Sequence, residues 1–239
     1  MRSKAKYIGL NQRIPFEVLD AGINFYLTKG RIDKDYLRER IQEFTSGSNR
    51  ANKATLYLLQ ILNRQQDILD HLKEYLRDVP YSSLQKDDKR ALSLCLISLT
   101  YPIAYDLLVA LAQGFKVQDQ INKKFINEKL MAIYGSNRTV NIAIDALLPM
   151  IIELKTIKRD RMSIYSMCSN LEVRNKFISE LVTYTDIKLS GSKSILIDDL
   201  NFRPWFSYFE VPPSRSLQNG VLIHKKDSSV GKGYLTIKI

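Results

Sequence analysis

The chain has 239 residues, 45% of them hydrophobic and 26% charged, which suits one or two domains with a real core and excludes a disordered protein. Its 36 Lys and Arg against 25 Asp and Glu give a formal charge of +11, favouring an anionic partner: nucleic acid, an acidic protein or a membrane surface. Two cysteines, Cys95 and Cys168, lack metal-ligand spacing and exclude a disulfide framework; they read as reduced core residues of a cytoplasmic protein.

Residues 1–13 hold Arg2, Lys4, Lys6 and Arg13 and no acid, a basic arm or simply a frayed terminus. They lack the apolar run of a secretion signal. Helical spacing begins at Pro15-Phe16, with Gly30 as a stop and Lys29 suited to the helix end. A charged helix is expected from Asp33 to Phe44, with Tyr36, Leu37 and Ile41 inward. A long amphipathic stretch runs from Asn49 to Asp78, with a possible break at Arg64-Gln65-Gln66. Val79-Pro80-Tyr81-Ser82-Ser83 reads as a linker.

Ala91 to Ala112 carries a single charge, Asp106. A membrane span of that length is conceivable, but Tyr101-Pro102 interrupts it and Asp106 would be costly in a bilayer. Two buried helices broken at Tyr101-Pro102 explain the run better, so no membrane span is expected. The stretch Ala143–Leu154 contains Pro149, a kink or break. Lys155, Lys158, Arg159 and Arg161 form the densest basic cluster, either phosphate contacts or a solvated helix end. A helix is expected over Leu171–Thr183. After Ser190-Gly191-Ser192 come short β-type runs at Ser194–Ile197, Trp205–Val211, Val221–His224 and Tyr234–Ile239. Asn219-Gly220 and Gly231-Lys232-Gly233 are turn signals, and Pro212-Pro213 bars a strand. Phe202, Trp205, Phe206, Tyr208 and Phe209 fit a sheet core better than a platform for unpaired bases.

Catalytic patterns are missing. There is no P-loop, Rossmann glycine pattern, nucleophile elbow or His-Glu-x-x-His. His71 and His224 have no carboxylate or cysteine at metal-ligand spacing, and Asp198-Asp199 is a lone pair beside a turn. The expectation is a non-enzymatic protein without cofactor, metal or small-molecule substrate.

One tetrapeptide returns: Gly47-Ser48-Asn49-Arg50 and Gly135-Ser136-Asn137-Arg138. The flanks also align, Pro15–Tyr26 with Ile103–Gly114 and Tyr36–Ile41 with Phe125–Leu130. The spacing predicts a duplicated three-helix unit, helix-turn-helix-like, whose polar turn opens the third helix. Gly-Ser-Asn-Arg is a good helix start, and free N–H groups beside an arginine also attract anions. The fold class expected is mainly α, two helical-bundle units followed by a small antiparallel β element. The expected domains are 1–80, 81–184 and 185–239, the last packed on the helices.

Ser98-Leu99-Thr100-Tyr101-Pro102-Ile103-Ala104-Tyr105-Asp106 resembles the Tyr-Pro-x-x-Tyr-Asp block of the BrxA family of the BREX bacteriophage-exclusion system. Ser136-Asn137-Arg138-Thr139 is similar to a Ser/Thr-rich helix start of that family, and Asn49–Arg64 to its basic helix. The likeness covers roughly residues 14–155. It implies a NusB-like fold for the second unit and a DNA-binding accessory role in phage defence. On that reading Ser48, Asn49, Ser136 and Asn137 present helix-start donors to double-stranded DNA. Arg50, Lys53, Arg64, Arg138, Lys155, Lys158, Arg159 and Arg161 contact its phosphates with little sequence preference. Other defence proteins are possible partners. An RNA-binding module in the manner of NusB and a scaffold without nucleic acid are the alternatives.

Overall fold

A computed structural model describes residues 7–210, 220–228 and 231–238. Arg2, Lys4 and Lys6 of the basic arm, Val211, Pro212-Pro213, Asn219 and Ile239 lie outside the described residues.

Local signals set the first helices. Helix α1 (Phe16–Lys29) follows Pro15 and stops at Gly30, whose φ of 69° is left-handed and whose N–H reaches Tyr26 O at 2.7 Å. Asp33 caps α2 (Lys34–Gln42) by accepting from Tyr36 N at 3.1 Å. The long amphipathic stretch divides at Gln65 into α3 (Ser48–Arg64) and α4 (Gln66–Tyr75). The expected linker is an ordered turn, a 3₁₀ segment at Tyr81–Ser83. Tyr81 is buried there and donates to Asp20 Oδ1 at 2.6 Å.

The apolar run forms α5 (Lys86–Thr100) and α6 (Pro102–Phe115), bent by 116° at Tyr101. Among the described residues no single helix is long and apolar enough to cross a membrane. Tyr101-Pro102-Ile103-Ala104-Tyr105-Asp106 is a packing hub. The Tyr101 hydroxyl lies 2.9 Å from Gln60 Oε1 and 3.0 Å from Tyr57 O on α3. The Tyr105 hydroxyl donates to Asp186 Oδ1 at 2.8 Å, and Asp106 Oδ2 accepts from the Tyr134 hydroxyl at 2.6 Å. Burial pushes all three phenols above their ordinary range, so they stay protonated donors.

Strand β1 (Ile121–Asn122) precedes α7 (Lys123–Tyr134) and α8 (Arg138–Glu153). Helix α8 passes through Pro149 without breaking. Lys155–Arg161 is not a helix end but the start of a hairpin, β2 (Ile157–Arg161) and β3 (Ile164–Met167). Lys155 turns left-handed at φ 58°, and Thr156 returns its hydroxyl to Ile151 O at 2.8 Å, which closes α8. The strands form an antiparallel sheet in the order β1-β3-β2, pairing Ile121 with Tyr165 and Lys158 with Ser166.

Leu171–Thr183 also divides. Leu171–Glu172 is a strand, β4, and the helix α9 (Lys176–Ser190) begins only after Asn175, whose Oδ1 accepts from Ile178 N at 3.2 Å. Helix α9 packs along α5 and is buried continuously from Phe177 to Ile187. The third region is a small antiparallel sheet of β5 (Ser194–Leu196), β7 (Ile223–Lys226) and β8 (Tyr234–Ile237), in the order β5-β8-β7. Trp205–Tyr208 is 3₁₀ rather than strand, and only β6 (Phe209–Glu210) continues it, parallel to β4. Trp205 sets that geometry by donating to Val182 O on α9 at 3.0 Å, while Tyr208 donates to Leu108 O on α6 at 2.7 Å.

One cluster of buried side chains runs from Leu10 to Leu235. Each fully buried Leu, Ile or Phe contributes about 1.5–3 kcal/mol of transfer free energy. Helix α5 touches α1, α3, α6 and α9, so it sits at the centre of that cluster.

Candidate nucleic-acid interface

Gly47 and Gly135 share a backbone conformation, φ 95° and 84° with extended ψ of 122° and 153°. A Cβ at either would meet nothing within 4 Å, so backbone strain alone demands glycine. Beyond the glycine the two copies diverge. Helix α3 begins at Ser48 with no side-chain cap, and Ala51 N–H, bonded to Gly47 O at 3.1 Å, opens its ladder. The N–H groups of Ser48, Asn49 and Arg50 therefore face outward. Helix α8 begins at Arg138, and Asn137 Oδ1 takes up Val140 N–H at 3.2 Å. The same four residues leave one start open and cap the other.

The outer faces differ too. Helix α3 contains no acid, and Asn49, Arg50, Asn52, Lys53, Asn63 and Arg64 are exposed on it. Arg64 lies over the Tyr7 ring at 5.6 Å. On α8, Arg138, Thr139, Ile142 and Asp145 are exposed, and Asp145 is ion-paired with Lys123 at the start of α7. That carboxylate would oppose a phosphate.

The hairpin carries the remaining cations. Strand β2 is an edge, with Lys158, Arg159 and Arg161 exposed and Arg159 over the Tyr165 ring at 5.8 Å. Asp160, its one acid, is occupied by Gln120 Nε2 at 3.0 Å and Ser166 Oγ at 2.9 Å. Charged side chains also guard an edge strand against pairing with another chain. Met162, at the tip, is 90% exposed.

The fold sorts these residues into separate places. Helix α3 spans 17 residues and α8 spans 16, about 25 Å each. Arg64 is therefore a helix length from Arg50, and Arg138 a helix length from Lys155. Lys155 instead meets the α1 and α5 starts in a cleft that includes Arg13, Lys86 and Arg90. Arg13 and Phe44 also line a smaller cavity with Arg50. Arg90, Lys155 and Lys158 lie close enough to Cys168 to pull its thiol down, although burial still leaves it raised. Cys95 is fully buried and its thiol is pushed up to about 12.

Lys86 and Arg90 are absent from the candidates read in sequence, because Lys86-Asp87-Asp88-Lys89-Arg90 looks balanced. Folding withdraws the acids. Asp88 is buried and accepts from Arg174 N at 2.9 Å and Asn175 N at 3.0 Å; burial raises its carboxyl. Asp87 pairs with Arg90 at 2.7 Å. Trp205, Phe206, Tyr208 and Phe209 are buried, and of that aromatic group only Phe202 is open, at 74%. Among the described residues no group of three or more His, Cys, Asp or Glu could hold a metal ion. Compared with protein-family models, curated proteins and solved structures, the chain matches none of them.

Proposed function

We propose that the chain is a non-enzymatic binder of double-stranded DNA, built from a duplicated helix-turn-helix unit. The observation that carries this reading is the order α6-β1-α7-α8-β2-β3 with its sheet β1-β3-β2. That is the arrangement of a winged helix-turn-helix, in which the last helix enters the major groove and the hairpin lies along the flanking backbone. Helices α1, α2 and α3 repeat the helical part without the strands. Arg138 then starts one groove helix and Arg50 and Lys53 the other, while Lys158, Arg159 and Arg161 lie on the hairpin. Contacts of this kind are phosphate-directed and give little sequence preference.

The place in a BREX-type phage-defence system, and with it a cytoplasmic location and defence-protein partners, rests on the resemblance to the BrxA family. So does the NusB-like description of the second unit. RNA binding by base stacking is the weaker reading, because Trp205, Phe206, Tyr208 and Phe209 are spent on the core. Fluorescence anisotropy with labelled duplex DNA, single-stranded DNA and RNA across a salt series tests the proposal. Duplex binding should dominate and fall steeply with salt, and Arg159→Ala/Arg161→Ala should lower the salt slope by about 2. No binding to any strand at low salt would sink the proposal and leave a scaffold.

A further inference from the structure

We infer that the cleft between the starts of α1 and α5 and the end of α8 is a binding site for a nucleoside monophosphate. It has a volume of about 300 Å³, at the small end of ligand sites. Three cations, Lys86, Arg90 and Lys155, line it from two distant parts of the chain, the first turns of α5 and the turn that follows the end of α8.

The state of those cations points to a missing anion. The ammonium groups of Lys86 and Lys155 form no ion pair or hydrogen bond among the described residues. Arg90 gives one arm to Asp87, yet its Nε is buried with no partner. A buried donor without an acceptor costs free energy, and a phosphate in the cleft that Arg90 lines would supply an acceptor once the guanidinium turned toward it. The fourth cation, Arg13, is spent on Glu153, which also accepts from Phe16 N at 3.0 Å.

Two further features separate a nucleotide from a bare phosphate. Phe16 and Phe44 contribute aromatic rings to the lining, Phe44 being 45% exposed, and a base has a face to lay on such a ring. Glu17 also lines the cleft with no cation paired to it among the described residues. A lone carboxylate repels phosphate but accepts from a ribose hydroxyl or an exocyclic amine. Cations, rings and an unpaired acceptor in one small cavity match the three parts of a nucleotide.

The test is isothermal titration of the full chain with AMP, CMP, adenosine and inorganic phosphate. A nucleotide should bind at least about tenfold more tightly than adenosine or phosphate, because each of those satisfies only part of the lining. Lys86→Ala/Lys155→Ala and Phe44→Ala should each weaken it by about tenfold or more. Arg159→Ala/Arg161→Ala, on the hairpin, should leave it within about twofold, which separates this site from duplex binding. The inference is overturned by no nucleotide binding at about 1 mM, by phosphate binding as tightly as AMP, or by equal loss in the hairpin variant. The duplex-binding proposal survives or fails independently of these outcomes.

Discussion

The two runs of three helices, α1-α2-α3 and α6-α7-α8, begin their third helix with the same tetrapeptide and treat it differently. In α3 the helix starts immediately after Gly47, so Ser48, Asn49 and Arg50 lie in an uncapped first turn on a face without acids. In α8 the helix starts two residues later in the motif, Asn137 closes one N–H, and Asp145 interrupts the outer face. The first run has a third helix that presents Arg50, Lys53 and Arg64 without an acid, and no hairpin follows it; the second has a hairpin that supplies the cations its helix lacks. A short motif fixes the backbone turn, and its neighbours decide what the turn presents.

The largest effect should come where the copies are alike. Gly47→Ala and Gly135→Ala each force a side chain into left-handed backbone, and each should cost about 1–3 kcal/mol in urea unfolding. A loss at only one of them would break the equivalence of the two turns. Next, Arg50→Ala/Lys53→Ala should weaken duplex DNA binding by about tenfold at moderate salt, and Arg138→Ala by clearly less. The reverse order would make α8 the principal contact. Third, Asn137→Ala should cost about 1 kcal/mol of stability as a lost cap, while Asn49→Ala should stay within about 0.5 kcal/mol. Equal costs would mean that α3 is capped after all. Smallest is Asp145→Asn, which removes a carboxylate and frees Lys123; duplex affinity should rise by about twofold. A fall would show that the Lys123–Asp145 pair holds α7 in place for binding.

Signals confined to a few neighbouring residues were legible before folding. Pro15 and Gly30 bound α1, Asp33 caps α2, Gln65 divides α3 from α4, and Tyr101-Pro102 breaks the apolar run where the chain turns by 116°. The hairpin at Lys155–Met167 was not legible. Its basic residues read equally well as a helix end, and what makes β2 a strand is pairing with β3, which in turn pairs with β1 some 40 residues earlier. Trp205–Tyr208 has strand-like residues but follows hydrogen bonds to Val182 and Leu108, which no local pattern encodes.

The same division holds for the candidate surfaces. By itself the sequence determined the bounds of α1, the cap of α2, the repeated turn and the excess of positive charge, because caps, prolines and glycines act through the backbone within a turn or two. Only the tertiary structure decided where that charge gathers. Lys155 lies 69 positions from Lys86, and the two meet because α5 packs at the centre of the core and brings its first turn beside the end of α8. Burial of Asp88 and pairing of Asp87 then expose a positive face in a segment whose charges nearly cancel on paper. Local chemistry fixes which hydrogen bonds a turn can make; long-range packing fixes which charges are left for a partner.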